Sequence, residues 1–468
     1  MYKKYLITGV LLLVIVGLFI AIITPSPVEC KGKNDKNSSC YYLLSKYDTL
    51  SNGAEQYRVD NFYPDSVMID CFSIYVENSA SIDPYLQVQN KTNKNSYVDA
   101  FTKFKEVADQ LLTDVTDISN SNKCYYINDT IIEYKDKGRD FGRYGLTLDN
   151  IKNKKGYNNK GDRSNTELSF VIDTIVKRNS SGEISVLISD FIPSPKGSSE
   201  NDIERYISSI SNKVKGSLKS KLSSQPQLCI MLYRYNSQFD GIYYGTNDEN
   251  IRYKGHRPFY VMFIGNYGLL SKLKNKSKIM NGSEPCCVYF ASQNDIPFGV
   301  FSGQLKPFSD ENHSGIHKHL ILTDELKEKA KNKDGELFIK LKMDLSCLPI
   351  EKDYLLDTAN YVIESECFYI EKIDEVSESK DKQKYTHVLT LKNNKTTLPN
   401  NNRIRVLLKA KKYDFEQYSS MAVHQEMYNS SDSIKTLGIE PLRQGIEDAF
   451  NEKSKHPLCY AVFEFLIN

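Results

Sequence analysis

The rhythm of apolar and polar positions changes along the chain, and each change predicts a different kind of structure. After Lys3 and Lys4, residues 5–23 carry no charge and are mostly Leu, Ile and Val. That length is close to the roughly 20 apolar residues that cross a bilayer. It predicts an uncleaved signal anchor, a transmembrane helix within residues 1–29. A cleaved signal peptide would have a shorter apolar core ending in small residues, whereas Thr24-Pro25-Ser26-Pro27 follows here. Cys30 comes after Pro27-Val28-Glu29, which is not a lipoprotein cleavage box. Residues 30–59 are polar and turn-rich and read as a spacer.

From residue 60, short apolar runs alternate with helical spacing. Residues 67–76 form a buried-strand pattern. Over 97–115 the apolar positions Phe101, Phe104, Val107, Leu111 and Leu112 recur at helical spacing. Two short apolar runs flank Asn128-Asp129, a hairpin signal. A polar loop spans 135–162. A helix is predicted over 166–176, a buried strand over 184–188, a helix over 203–222, strands over 228–233 and 259–264, and a helix near 269–273. Strands alternating with helices predict an α/β fold, a Rossmann-like doubly wound and mostly parallel sheet with helices on both faces, over 60–305. Beyond it, residues 335–343, 386–391 and 404–408 alternate with period two, and Phe368-Tyr369-Ile370 adds a fourth run. They predict a smaller antiparallel β-sandwich of immunoglobulin-like size over 306–468, closed by a helix at 439–450 and a strand at 460–467.

Charge narrows the partners. With 61 basic and 59 acidic residues the chain has no long-range field for nucleic acid, and no basic stripe supplies one locally. Asn and Lys crowd the loops, as in AT-rich bacterial genomes. Lys3 and Lys4 favour a cytoplasmic N-terminus, although Lys31, Lys33 and Lys36 follow the span. The bulk of this single-pass membrane chain is expected outside the cytoplasm. The ten Cys are scattered apart from Cys286-Cys287 and form neither a zinc knuckle nor a disulfide framework.

Ligands of open α/β sheets bind at the C-terminal ends of the strands, and three segments bring oxygen donors there. The first strand runs into Glu77-Asn78-Ser79-Ala80-Ser81. The turn Arg163-Ser164-Asn165-Thr166 opens a helix. The strand 184–188 ends in Ser189-Asp190. Hydroxyls and carboxylates are the donor set that a hard cation such as Mg²⁺ takes in near-octahedral coordination.

These residues resemble the von Willebrand factor A-type family, whose metal-ion-dependent adhesion site reads Asp-x-Ser-x-Ser after strand one, a Thr before a helix and an Asp after a later strand. Glu77, Ser79 and Ser81 match the first element, Thr166 the second and Asp190 the third, within residues 67–303. The resemblance implies that Mg²⁺, or Mn²⁺ or Ca²⁺, is held by Ser79 and Ser81 directly and by Thr166 and the carboxylates directly or through water. Its open position would take an acidic group from a protein partner. Glu77 stands where the family has Asp, and its extra methylene displaces the carboxylate. A weaker site, another metal or a remnant is each compatible with that departure, and Thr166 could instead cap its helix. The expected role is binding rather than catalysis. A scaffold with a degenerate site and a metal-dependent hydrolase are the alternatives, and the hydrolase lacks a general base beyond Glu77.

Other signals read more plainly. His313, His317 and His319 match no zinc motif and suit a solvated loop. The run from Gly156 to Gly161 has phosphate-loop spacing but continues Asp162-Arg163, without the Gly-Lys-Ser/Thr that contacts phosphate. Arg252 to Arg257 lead into a late strand and fit the face of the metal site or plain surface equally well.

Overall fold

The computed structural model describes residues 69–86, 89–93, 96–99, 102–115, 118–133, 162–193, 200–244, 250–292, 296, 298–302, 318–320, 337–376, 385–393, 402–420 and 435–467. The expected anchor and spacer, His313, His317 and the run from Gly156 to Gly161 lie outside them. Among the described residues no helix is long and apolar enough to cross a membrane.

The first sheet is built on β1 (Cys71–Glu77), whose residues 72–77 are all buried. A strand buried on both faces reads as a continuous apolar run rather than an alternation. The parallel strands β4 (Asn122–Ile127) and β6 (Glu183–Ser189) flank it. Between β1 and β4 come a small hairpin, β2 (Gln89–Asn93) with β3 (Ser96–Asp99), and helix α1 (Lys103–Val115). The helix expected over 97–115 is therefore a strand and then a helix. Phe104, Val107, Ala108 and Leu111 give α1 its buried stripe. The hairpin signal at Asn128-Asp129 joins β4 to the antiparallel β5 (Ile131–Glu133). Helix α2 (Leu168–Arg178) precedes β6 and buries Leu168, Val171, Ile172, Ile175 and Val176.

The second half of the sheet departs from the expected parallel arrangement. After α3 (Glu200–Ser224), strands β7 (Leu228–Tyr244) and β8 (Asn250–Asn266) form one antiparallel ribbon paired from Leu228↔Asn266 to Tyr244↔Asn250. β8 is antiparallel to β6, and β9 (Cys287–Phe290) is antiparallel to β7. The seven-stranded order is β5-β4-β1-β6-β8-β7-β9, a mixed sheet with a parallel core of three strands. The physical reason is that only five residues separate β7 from β8, too few for the crossover that parallel neighbours need. Helix α4 (Tyr267–Lys276) begins where β8 ends, with Asn266 capping it by accepting from the Gly268 N–H at 2.9 Å.

The C-terminal strands form two four-stranded sheets. One is β10 (Phe298–Ser302), β12 (Phe338–Met343), β15 (His387–Asn393) and β14 (Phe368–Glu375), antiparallel throughout. The other contains β11 (Lys318–Leu320), β19 (Cys459–Ile467), β16 (Asn402–Lys409) and β13 (Tyr361–Glu364), with β11 parallel to β19, while the two-residue strands β17 (Ser419–Ser420) and β18 (Thr436–Leu437) pair with each other. The strand at 298–302 thus pairs beyond the boundary expected at 305, and the described residues from 69 onward belong to one unit with a continuous apolar core. Phe290 of β9 stacks on Tyr460 of β19 at 4.6 Å.

Helix α5 (Ile439–Lys453) ties the C-terminal strands to the first sheet by packing on α3. The two helices come close at Gly445, where a Cβ would lie 2.5 Å from the Ser211 carbonyl oxygen and 2.9 Å from the Ser211 Cα. Lys215 and Lys219 of α3 both pair with Glu452 beside this crossing. Because the obstacle at Gly445 is backbone, Gly445→Ala should destabilise by about 1–3 kcal/mol. Gly216→Ala in α3, with nothing within 4 Å of its Cβ, should instead stabilise by about 0.5–1 kcal/mol. Urea unfolding of the two variants checks this pair, and equal effects would contradict the packing account.

Candidate metal centre

The register of three strands brings the site together. Val76 lies beside Ile188 and Glu77 beside Ile127, so Glu77 at the end of β1 meets Ser189 at the end of β6. Both Glu77 oxygens are occupied: Thr166 Oγ1 donates to Oε1 at 2.9 Å, and Ser189 Oγ donates to Oε2 at 2.6 Å. Glu77, Thr166, Ser189 and Asp190 are each at most 2% exposed. Thr166 does not cap α2, since Glu167 holds the N-cap position without a side-chain bond and the Thr166 hydroxyl turns to Glu77.

Immediately after β1, Ser79 and Ser81 share a hydroxyl hydrogen bond at 2.8 Å, Ser79 buried and Ser81 half-buried. Arg163 holds this loop against the Thr166 segment. Its Nε donates to the Asn78 carbonyl at 2.8 Å, its Nη2 pairs with Asp83 at 2.5 Å, and its own carbonyl accepts from the Ala80 N–H at 2.9 Å.

At the third segment, Phe191 has φ 57°, a left-handed conformation that costs a non-glycine residue about 1–2 kcal/mol. The strain is held by packing and hydrogen bonding. The Phe191 ring meets Tyr260 edge-on at 5.6 Å, its N–H donates to Ser189 Oγ at 2.8 Å, and Asp190 Oδ1 accepts from the Ile192 N–H at 3.0 Å. The sharp turn leaves Asp190 at the end of the sheet facing Glu77.

Electrostatics follow from burial. Desolvation and then the charge of Asp190 push the Glu77 carboxyl up to about 8, against the hydroxyls of Ser189, Ser79 and Thr166, which favour its charged form. Burial also raises the Asp190 carboxyl, opposed by the Ile192 N–H, the Ser81 hydroxyl and the Arg257 guanidinium.

All five residues expected from the sequence, Glu77, Ser79, Ser81, Thr166 and Asp190, therefore converge in space. Their donor set is two carboxylates and three hydroxyls, with Ser189 as a fourth. That suits a hard, oxygen-seeking cation in chemistry and in charge. Among the described residues, no three of His, Cys, Asp and Glu gather to hold a metal, so a centre here would depend on the hydroxyls. Ser189 and Arg257 join the site as well: the sequence placed Ser189 at the strand end without making it a ligand, and left Arg252 to Arg257 open between the face of the metal site and plain surface. Ser189 could have been found as the residue preceding Asp190 at the strand end, whereas only the ribbon's register locates Arg257. Compared with known protein families, curated proteins and solved structures, the chain matches none.

The raised Glu77 carboxyl makes stability depend on pH with a definite sign. Between the ordinary carboxyl value and about 8 the folded chain holds a proton that the unfolded chain releases, so metal-free stability falls as pH rises through that window. Glu77→Gln removes this term. With chelator present, the variant should gain on the parent from about pH 5 to pH 8 and exceed it by roughly 1–3 kcal/mol at pH 8. Parallel unfolding curves at both pH values test this, and an offset independent of pH would contradict it.

Proposed function

We propose that this chain is a membrane-anchored protein of the von Willebrand factor A type that binds a protein partner through a divalent cation. The observation that carries the reading is the convergence of Glu77, Ser79, Ser81, Thr166 and Asp190 at one end of the sheet. Ser79, Ser81, Thr166 and the two carboxylates would hold Mg²⁺, or Mn²⁺ or Ca²⁺, and the ion would supply an electrophilic point for an acidic side chain of the partner. The protein residues themselves position these donors and keep water from the two carboxylates. Support for the membrane setting is the uncharged run 5–23, with the bulk of the chain outside the cytoplasm. The C-terminal strands would serve as spacer or second contact surface.

A second reading, a scaffold whose site no longer takes metal, is favoured by one feature. Glu77 already accepts hydrogen bonds at both oxygens from Thr166 and Ser189, so its polar needs are met by the protein alone.

The melting temperature of the full-length chain in mild detergent separates the two. A cation that binds only the folded state at 100 times its dissociation constant adds about 2.7 kcal/mol. In a chain of this size that raises the melting temperature by a few degrees. Mg²⁺ or Mn²⁺ added after chelation should produce this rise in the parent and not in Ser79→Ala or Asp190→Ala. A parent indifferent to every divalent ion would hand the reading to the scaffold.

A further inference from the structure

At the same end of the sheet as Asp190 lies a buried cation that the proposed metal reading does not use. Arg257, on β8, is only 4% exposed, and its buried Nε has no hydrogen-bond partner. Its guanidinium lies 4.0 Å from the centre of the Tyr243 ring. Tyr85, fully buried, also interacts with the guanidinium, and its hydroxyl donates to the Pro258 carbonyl at 2.7 Å. Tyr85 belongs to the short helix Asp83–Leu86 that follows Ser81, so the residues walling in Arg257 continue the Ser79–Ser81 loop. The strand register sets Arg257 at the same sheet end as Asp190: Ser189 pairs with Tyr260, and Arg257 lies three residues before Tyr260 on the antiparallel strand. The charges of Asp190 and Arg257 act on each other there.

Burying a guanidinium costs several kcal/mol unless an opposite charge compensates it. The hydroxyls around it stay neutral, and the Asp190 carboxyl is the group at this sheet end able to carry the opposite charge. We infer that Arg257 is the internal counter-ion of the Glu77–Asp190 pair, taking electrostatically the part a bound cation would play and weakening the hold of this site on metal. The inference deepens the metal reading, yet its first test needs no metal. It also accounts for the kind of partner. With a divalent ion bound and both carboxylates ionised, Arg257 leaves the site with a single net positive charge. An acidic group from outside would then bring it to neutrality. Without Arg257 the ion alone would neutralise the site and nothing would call for an anion.

Full-length parent, Arg257→Met, Arg257→Lys, Asp190→Asn and the Arg257→Met/Asp190→Asn double variant are melted in chelator. Arg257→Met should lower the melting temperature. The double variant should lose clearly less than the two single losses combined, because removing the carboxylate removes the need for its counter-ion. Arg257→Lys, which keeps the charge, should stay nearer the parent than Arg257→Met does. Additive losses, or a Lys variant as damaged as the Met variant, overturn the inference and leave Arg257 as packing against Tyr243. A Mn²⁺ titration then follows, in which Arg257→Met should reach its half-maximal thermal shift at about tenfold lower metal than the parent. Tighter Mn²⁺ binding by the parent would also overturn it. If Mn²⁺ shifts none of these proteins, the metal reading falls, and the coupling measured in chelator decides the counter-ion inference by itself.

Discussion

Two carboxylates held out of water at one end of a sheet are the constraint around which the surrounding structure is arranged. Glu77 and Asp190 are each nearly inaccessible, and burial of a charge is tolerated only with compensation. The compensation comes from every element nearby. Thr166 and Ser189 donate to Glu77, the Ile192 N–H and Ser81 serve Asp190, and the charge of Arg257 also favours the ionised Asp190. These groups come from four separate segments of the chain, so the fold must be assembled before the carboxylates can be buried. This makes the site a consequence of tertiary structure rather than a local motif.

Two features of the fold hold that assembly. One is the parallel trio β4-β1-β6, whose register aligns the ends of β1 and β6 and delivers Glu77 to Ser189. The other is the ribbon of β7 and β8. Only its inner half pairs with β6 and β9, and the rest runs on past the sheet. There it packs on the loop after Ser81 so closely that a Cβ on Gly241 would lie 2.7 Å from the Pro84 ring. The ribbon thereby closes the site from the side and carries Arg257 into it. The strained turn at Phe191 completes the arrangement, with its cost met by the ring's contact with Tyr260, itself a ribbon residue.

Where the sequence pattern misjudged the fold, the reason is physical. The outer half of the ribbon alternates exposed Arg252, Lys254 and His256 with more buried Tyr253 and Arg257. Half-buried ribbons with charges on the open face carry too few apolar residues to read as strands. Strand direction was also out of reach, because a buried strand looks the same whether its neighbours are parallel or antiparallel. The residues 96–99 pair with 89–93 instead of extending α1, since Tyr97 and Val98, an aromatic and a β-branched residue, suit a strand as well as a helical spacing.

By itself the sequence determined the positions of β1, β6, α2, α3 and, among the C-terminal strands, β12, β14, β15, β16 and β19, because apolar periodicity reports which face of an element is buried. It also determined the order of Glu77, Ser79, Ser81, Thr166 and Asp190 at strand and helix ends, since those places follow from the same periodicity. Only the tertiary structure decided that these five meet, that Thr166 serves Glu77 instead of capping its helix, and that the sheet is mixed. It alone brought Arg257 to Asp190. Hydrogen bonds and charge interactions depend on distances between residues far apart along the chain, and periodicity carries no information about those distances.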